Sequence, residues 1–537
     1  MAANDLRTFI VENNVYKGEI TSTANYKNIG EMMWNKIKSH GDKIAHLDVY
    51  TEKVVTYAEL QDKVVRCALW LQERGIKPSD VITVFTSNHL NSIVPCLAAI
   101  YVNAIFNPWN ENMDLQNTLH VMQLTTPKII FCSEKSIKII LSAIKKCNYK
   151  PTIVIFGDHP DAISFSDILS MCSDAEVATF QYIKHNDMKK TMCIMHSSGT
   201  MGMPKGVELS NYCLLHISED KNIDLINSVA IWFSSLSWMT GIMMNLIAIA
   251  QGAKVILYPE FDEEMICLLI EKYKINMTFL STTMINRLLK TNYIKKFPLS
   301  SLKTMMFGGA VIKPEVHEKM KCTLPHVQIL QCFGMTELGG FGTLQNSNNK
   351  NGSCGTVVQD VQIKIVDLEN AKVLEPNHLG ELWLKTATIM NGYYKNLEAT
   401  KSTVDEQGWL HSGDIGYIDE DGELFVIDRI KDLIKYRGHQ ISPGEIEGVL
   451  LLHPAVLEVA VTAIPHATDD EHPIAFVTKT PGAEVTEQEL IDLVANNMMD
   501  QYKLRAGVIF LNALPYTSSG KIAKRELKAM AKKLVMK

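Results

Sequence analysis

The sequence predicts an α/β protein: a large N-terminal domain of layered sheets and helices carrying a small β-rich subdomain, followed by a small α+β C-terminal domain. Three observations predict it. Short apolar runs recur at βα spacing between about residues 80 and 335, strands become shorter and alternating from 359 to 424, and the composition turns charged and glycine-bearing after 428.

The apolar runs are VITVF, KIIFC, TIVIFG, AKVILY, NMTFL and LKTMMFGG, with helical segments such as Glu263–Tyr273 between them. Continuous apolar strands separated by helices favour parallel sheets covered on both faces. Turn signals at Pro376-Asn377 and Asp421-Gly422 punctuate the β-rich stretch. A boundary is expected near Lys431, giving domains of residues 1–430 and 431–537. A chain of 537 residues is too long for one core, so several subdomains are expected.

Composition narrows the function classes. Fifty-three lysines and arginines against 59 acidic residues leave a net charge of −6, which gives no electrostatic reason to expect nucleic acid or anionic lipid as a partner. The 11 cysteines form no CxxC pair and no zinc-ligand spacing, so reduced thiols are expected. The opening MAANDLRTFI holds no apolar run, no uncharged apolar stretch of spanning length occurs elsewhere, and the final Val535-Met536-Lys537 does not match a Ser-Lys-Leu address. The expectation is a cytoplasmic protein without a membrane span, acting on small molecules.

Four clusters carry chemistry. HSSGTMGMPKG at 196–206 follows the apolar MCIM and precedes a helix start at Ser210-Asn211. Its glycines let backbone amides approach an anion, the hydroxyls of Ser197, Ser198 and Thr200 add donors, and Lys205 adds a point charge, as a phosphate cradle requires. It is not a Walker loop, because Gly206 follows the lysine where that motif needs Ser or Thr for magnesium. Alone, such a segment also reads as a flexible surface loop.

QCFGMTE at 331–337 ends an apolar run with a hydroxyl beside a carboxylate, a pair that can serve a phosphate and its magnesium together, or form an ordinary strand-to-loop turn. Upstream, Gly308-Gly309-Ala310 closes a strand without bulk, leaving room for a flat ring or simply making a turn. In GWLHSGD at 408–414, Asp414 suits two vicinal ribose hydroxyls, with Arg429 adding donors nearby; a surface ion pair is the other reading. Last, Ser518-Ser-Gly-Lys521 stands before a basic helix, where a lysine can reach a site made by another domain or merely be solvated.

Together and in this order, SSGTMGMPKG, FGMTE, GWLHSGD, DRIKDLIKYRGHQISPGEIE and SSGKIAKREL resemble the adenylate-forming enzymes across nearly the whole chain. These are acyl-CoA synthetases, 4-coumarate–CoA ligases and beetle luciferases, with peptide-synthetase adenylation domains more distant. The likeness is greatest to the luciferase and coumarate-ligase branch. It implies ATP-dependent transfer of AMP to a carboxylic acid, with pyrophosphate release, in a cleft between the large domain and a small mobile one hinged at Lys431. The acyl-adenylate would then be oxidised by O2 with light emission, or passed to coenzyme A.

By motif position the resemblance puts the β and γ phosphates on Ser197, Ser198, Gly199, Thr200, Gly202 and Lys205, and the α phosphate on Thr336. Phe333 and Gly334 would join the nucleotide site. Glu337 would bind Mg2+, and Asp414 with Arg429 the ribose. Gly308, Gly309 and Ala310 would line the adenine slot, and the acid would meet Ser237, Trp238, Gly309, Gly339 and Phe341. Lys521 resembles the lysine that enters for adenylation, and Lys435 the lysine presented for the second step. A non-catalytic binding relative is the other class considered, and retention of both lysines argues against it.

Three departures stand out. Met201 replaces the usual Thr of the phosphate loop. SSLSWMTG at 234–241 places Ser237 and Trp238 where a histidine or aromatic gate is usual; an indole wall there suits an aromatic or heterocyclic acid, although Trp238 also reads as a core residue. Asp469-Asp-Glu-His-Pro473 replaces a common Gly-Glu and receives no function.

Overall fold

The computed structural model describes residues 9–20, 26–147, 149–197, 203–516 and 522–535. Its architecture is the expected α/β one. All six apolar runs form strands, at Val81–Phe85, Ile129–Ser133, Thr152–Phe156, Lys254–Leu257, Met277–Ser281 and Thr304–Gly308, and the helix Glu263–Tyr273 lies where expected.

Two large sheets divide these strands. An eight-stranded sheet runs, in spatial order, from Gly392–Tyr393 through Lys205–Ser210, Thr191–Ser197, Ile105–Trp109, Val81–Phe85, Ile129–Ser133 and Thr152–Phe156 to Ile163–Ser164. A nine-stranded sheet has Gln328–Met335, Thr304–Gly308, Met277–Ser281, Val229–Trp232, Lys254–Leu257 and Ile44–Asp48 as its parallel centre. The helices Val94–Tyr101 and Met239–Gln251 lie in one continuous core with strands of both sheets. Their sequences, VPCLAAIY and MTGIMMNLIAIAQ, carry almost no polar face, which is why both are buried on nearly every side.

The β-rich region forms a six-stranded antiparallel sheet ordered Phe9–Glu12, Val15–Gly18, Val361–Val366, Gly380–Thr386, Leu410–Ile418 and Leu424–Arg429. The N-terminal hairpin at its edge was not expected from the pattern; its register comes from pairing with Val361–Val366, far along the chain. Both anticipated turns occur, with Asn377 at φ 64° and Gly422 at φ 83°.

After Arg429 a single 3-10 turn, Ile430–Asp432, leads to a five-stranded sheet built on the long hairpin Val456–His466 and Asp470–Lys479. Lys431 falls in that turn. Among the described residues, hydrogen bonds anchor the last unit to the first at two places. Asp428 Oδ2 accepts from Ser442 Oγ (2.6 Å) and from the Gly444 amide (2.8 Å) at the start of helix Pro443–Leu451. Lys290 Nζ donates to the carbonyls of Leu451 and His453. Among the described residues, no helix is long and apolar enough to cross a membrane.

Candidate active site

A cavity of about 1280 Å³ opens where the carboxyl ends of strands from both large sheets meet the β-rich sheet. That is the place where open α/β sheets present loops rather than ladder hydrogen bonds.

Three of the four clusters reach its wall. The first does so through Ser197 and Lys205, which end and begin the paired strands Thr191–Ser197 and Lys205–Ser210. Lys205 therefore starts a strand instead of preceding the helix directly, and Ser210 caps that helix by accepting from the Cys213 amide. Ser198, Gly199, Thr200, Met201 and Gly202 lie outside the described residues.

The second cluster and the glycines upstream of it lie on neighbouring strands. Gly308, Gly309 and Ala310 follow Thr304–Gly308, while Gly334, Thr336 and Glu337 end the neighbouring strand. A Cβ on Gly308 would stand 2.8 Å from the Cys332 carbonyl oxygen, and Gly309 has φ 89° with open space beyond it. Glycine at both positions thus leaves bare backbone along one side of the cavity. Thr336 opens the 3-10 turn Thr336–Leu338, and Glu337 is buried within it.

Lys205 and Glu337 are joined through a residue the sequence did not reveal. The Tyr393 hydroxyl donates to Glu337 Oε1 at 2.9 Å, and Lys205 Nζ sits 4.6 Å from the centre of the same ring. Burial, followed by the Glu337 carboxylate, raises the Tyr393 hydroxyl pKa above its ordinary value, so it remains a donor. Tyr393→Phe keeps the ring against Lys205 but removes the only hydrogen bond to the Glu337 carboxylate among the described residues. Urea unfolding is expected to show a loss of about 1.5–3 kcal/mol, the usual worth of a hydrogen bond to a charged group.

The third cluster contributes Arg429, His411, Ser412 and Gly413 to the wall. Asp414 stands behind them: its buried carboxylate forms an ion pair with Arg429, Oδ1 to Nε 3.0 Å, across the ladder Leu410–Ile418 to Leu424–Arg429. This pair is not a surface ion pair on the aspartate side, because only 6% of that side chain is exposed. Glu381 supports the turn by accepting from the Gly413 amide and from Trp383 Nε1, and Trp383 stacks on His411 at 3.8 Å.

Part of the cavity wall is apolar. Trp238, Met243, Phe279 and Phe341 line it, with Phe279 and Phe341 nearly parallel at 6.5 Å. Trp238 is half-buried on this wall, immediately before the buried helix Met239–Gln251, so it is not a core side chain. Ser237 also reaches the wall and exchanges a hydrogen bond with Ser235.

Not every expected residue arrives. Phe333 packs into the core beneath the β-rich sheet, and Gly339 is buried against Thr388 and Cys213; strand alternation turns Phe333 away when its neighbours face the cavity. Lys435 is exposed on the short strand Ile434–Tyr436, off the wall. Lys521 lies outside the described residues, between Tyr516 and Ile522, which pair as an antiparallel bridge.

His196 is a further wall residue to which the sequence assigned no role, although it begins the first cluster. Asn107 is hydrogen-bonded to its Nε2, while Nδ1 is buried with no partner among the described residues. Burial, with His120 nearby, pushes its pKa down to about 3, so the imidazole is neutral at physiological pH.

Comparison with known proteins agrees with this arrangement. Residues 33–394 match the family described as AMP-binding enzyme, and 445–521 match the AMP-binding enzyme C-terminal domain. The chain is 32% identical over 519 residues to luciferin 4-monooxygenase of Photuris pensylvanica, covering 94% of this chain and 95% of that one. It is 30% identical over 522 residues to 4-coumarate-CoA ligase 1 of Narcissus pseudonarcissus, covering 92% of each. Among solved structures it resembles the luciferase-like enzyme from the nonluminescent Zophobas morio mealworm, with a TM-score of 0.73 and 29% identity over 78% of this chain and all of that one. The chain belongs to the AMP-binding enzyme family and is an adenylate-forming enzyme that uses ATP to activate a carboxylic acid.

Proposed function

We propose that this chain adenylates an aromatic or heterocyclic carboxylic acid, with the nucleotide over Gly308, Gly309 and Ala310 and the acid against Trp238. The observation that carries the reading is the mixed wall of one cavity: bare backbone, hydroxyls and charge, together with the rings of Trp238, Phe279 and Phe341. A flat apolar wall with one N–H donor favours a ring over a flexible chain.

In this reading Lys205 and Ser197 meet the β and γ phosphates, Thr336 the α phosphate, and the Asp414–Arg429 pair the ribose. Glu337 and the Thr336 hydroxyl are hard oxygen donors beside the cavity, a set that suits Mg2+ bound chiefly through nucleotide phosphates. Such an ion would neutralise phosphate charge and orient the leaving pyrophosphate. Tyr393 holds the Glu337 carboxylate still for that purpose. As the acid's carboxylate attacks the α phosphorus, negative charge grows on the phosphate oxygens, so a cation positioned there, the role proposed for Lys521, acts mainly on the transition state.

The adenylate is then consumed by O2 with light emission, or by the thiol of coenzyme A. Similarity supports both, since a luciferin 4-monooxygenase and a 4-coumarate-CoA ligase resemble the chain about equally. Likeness to a luciferase does not decide between them, because a luciferase-like enzyme is also found in a nonluminescent mealworm.

The test is ATP–pyrophosphate exchange across a panel of aromatic, heterocyclic and fatty acids, with Trp238→Ala in parallel. Ring acids are expected to support exchange best, and Trp238→Ala to lose about tenfold or more for them while gaining on fatty chains. Equal exchange of ring and chain acids by both proteins would overturn the substrate class; no exchange with any acid would overturn catalysis and leave a binding protein. Adding coenzyme A, or O2 with a photon counter, then assigns the second step.

A further inference from the structure

The hairpin of Val456–His466 and Asp470–Lys479 ends in a cluster that the adenylation cavity does not use. It includes the departure Asp469-Asp-Glu-His-Pro473. Asp469 Oδ2 lies 3.5 Å from His466 Nδ1 and 2.9 Å from His472 Nε2, and the candidate ligand atoms of the three residues all fall within 4.8 Å of one another.

A tetrahedral zinc ion, with bonds of about 2.0–2.2 Å, holds its ligand atoms roughly 3.3–3.5 Å apart. The two observed spacings fall at and just below that range. The other carboxylate oxygen, Oδ1, accepts from Arg437 Nε at 2.7 Å, which turns Oδ2 toward the imidazoles, as an outer partner does for a ligating carboxylate.

We propose that His466, Asp469 and His472 form a binding site for a divalent transition-metal ion of the zinc type. Two imidazole nitrogens and one carboxylate favour zinc, nickel or copper over magnesium, so this ion is distinct from the one that accompanies ATP. Three protein ligands leave a fourth position for water. Arg437 Nε donates to Asp469 Oδ1 and His472 Nε2 is hydrogen-bonded to Asp469 Oδ2. The rings of His466 and His472 stack at 3.8 Å and 15°. Binding therefore turns the exposed His466 ring and replaces the His472–Asp469 hydrogen bond with metal bonds.

The Arg437 cation opposes the ion, which sets the expected affinity on the order of micromolar and well short of a closed structural zinc site. Asp470 pairs with Tyr436, and Arg437 is bonded to Asp469, so the ion would fasten this turn to residues 434–441, the segment that carries Lys435.

The full chain, stripped with chelator, is titrated with zinc chloride by calorimetry near pH 7.5, and with Co2+ by visible absorption. Wild type is expected to bind one equivalent more than His466→Ala/His472→Ala, and to show ligand-field bands that this variant lacks. Asp469→Asn keeps both imidazoles and is expected to bind about tenfold to a hundredfold more weakly; it serves if the double variant does not fold. Absence of zinc binding by wild type, or equal stoichiometry and affinity in the variants, overturns the site. The titration needs no turnover, so its outcome is independent of acid adenylation.

Discussion

Lys521→Ala is expected to form adenylate about a hundredfold to a thousandfold more slowly than wild type while binding ATP almost normally, a loss of about 3–4 kcal/mol in the transition state alone. The reasoning is electrostatic. The attacking carboxylate and the phosphates already repel in the ground state, and displacement of pyrophosphate concentrates more charge on the α-phosphate oxygens. A preorganised cation that meets this charge only at the top of the barrier affects rate more than affinity. The lysines and arginines of the described cavity wall are Lys205, Lys135 and Arg429. Lys205 faces Tyr393 and Arg429 faces Asp414, so neither is committed to the reacting α phosphorus. Rapid-quench measurement of adenylate beside equilibrium ATP binding separates the two effects; adenylation at the wild-type rate would sink the role.

Lys435→Ala, given presynthesised acyl-adenylate, is expected to fail in the second step by about a hundredfold or more, with ATP–pyrophosphate exchange near normal. Its position makes the case. Lys435 sits exposed on Ile434–Tyr436, its backbone amide donating to Glu471 Oε2, and its side chain is off the cavity wall. To act there it must be carried in by rotation of the C-terminal unit, with the turn Ile430–Asp432 as the place where the chain can swivel. The contacts of Asp428 with Ser442 and Gly444, and of Lys290 with the carbonyls of Leu451 and His453, bridge that turn and would have to be exchanged. Single-turnover kinetics on each half-reaction is the measurement, and equal impairment of both halves would reduce Lys435 to a packing role.

Much of this was legible in the residues because the signals are local. A strand such as VITVF needs only its own apolar run, a turn such as Asp421-Gly422 only its own φ preference, and Glu263–Tyr273 only its cap and period. The chemical clusters were legible for the same reason: a glycine-rich loop, or a hydroxyl beside a carboxylate, is written in consecutive positions.

What the sequence could not decide was how distant pieces meet. The N-terminal hairpin joins a sheet formed more than three hundred residues later, and no local preference selects that partner. Tyr393 links Lys205 to Glu337 through one ring, yet nothing in the spacing of the three marks it. Phe333 lies in a cluster read as nucleotide-binding, and the alternation of its strand turns it into the core. Trp238 could be core or wall until the buried helix behind it had a place between two sheets. The alphabet of the site, its anion loop, hydroxyls, carboxylates and lysines, was determined by sequence alone, because backbone freedom and side-chain chemistry belong to each residue. Its grammar was decided by the tertiary structure, because register, alternation and burial are set only when apolar surfaces from remote segments close on one another.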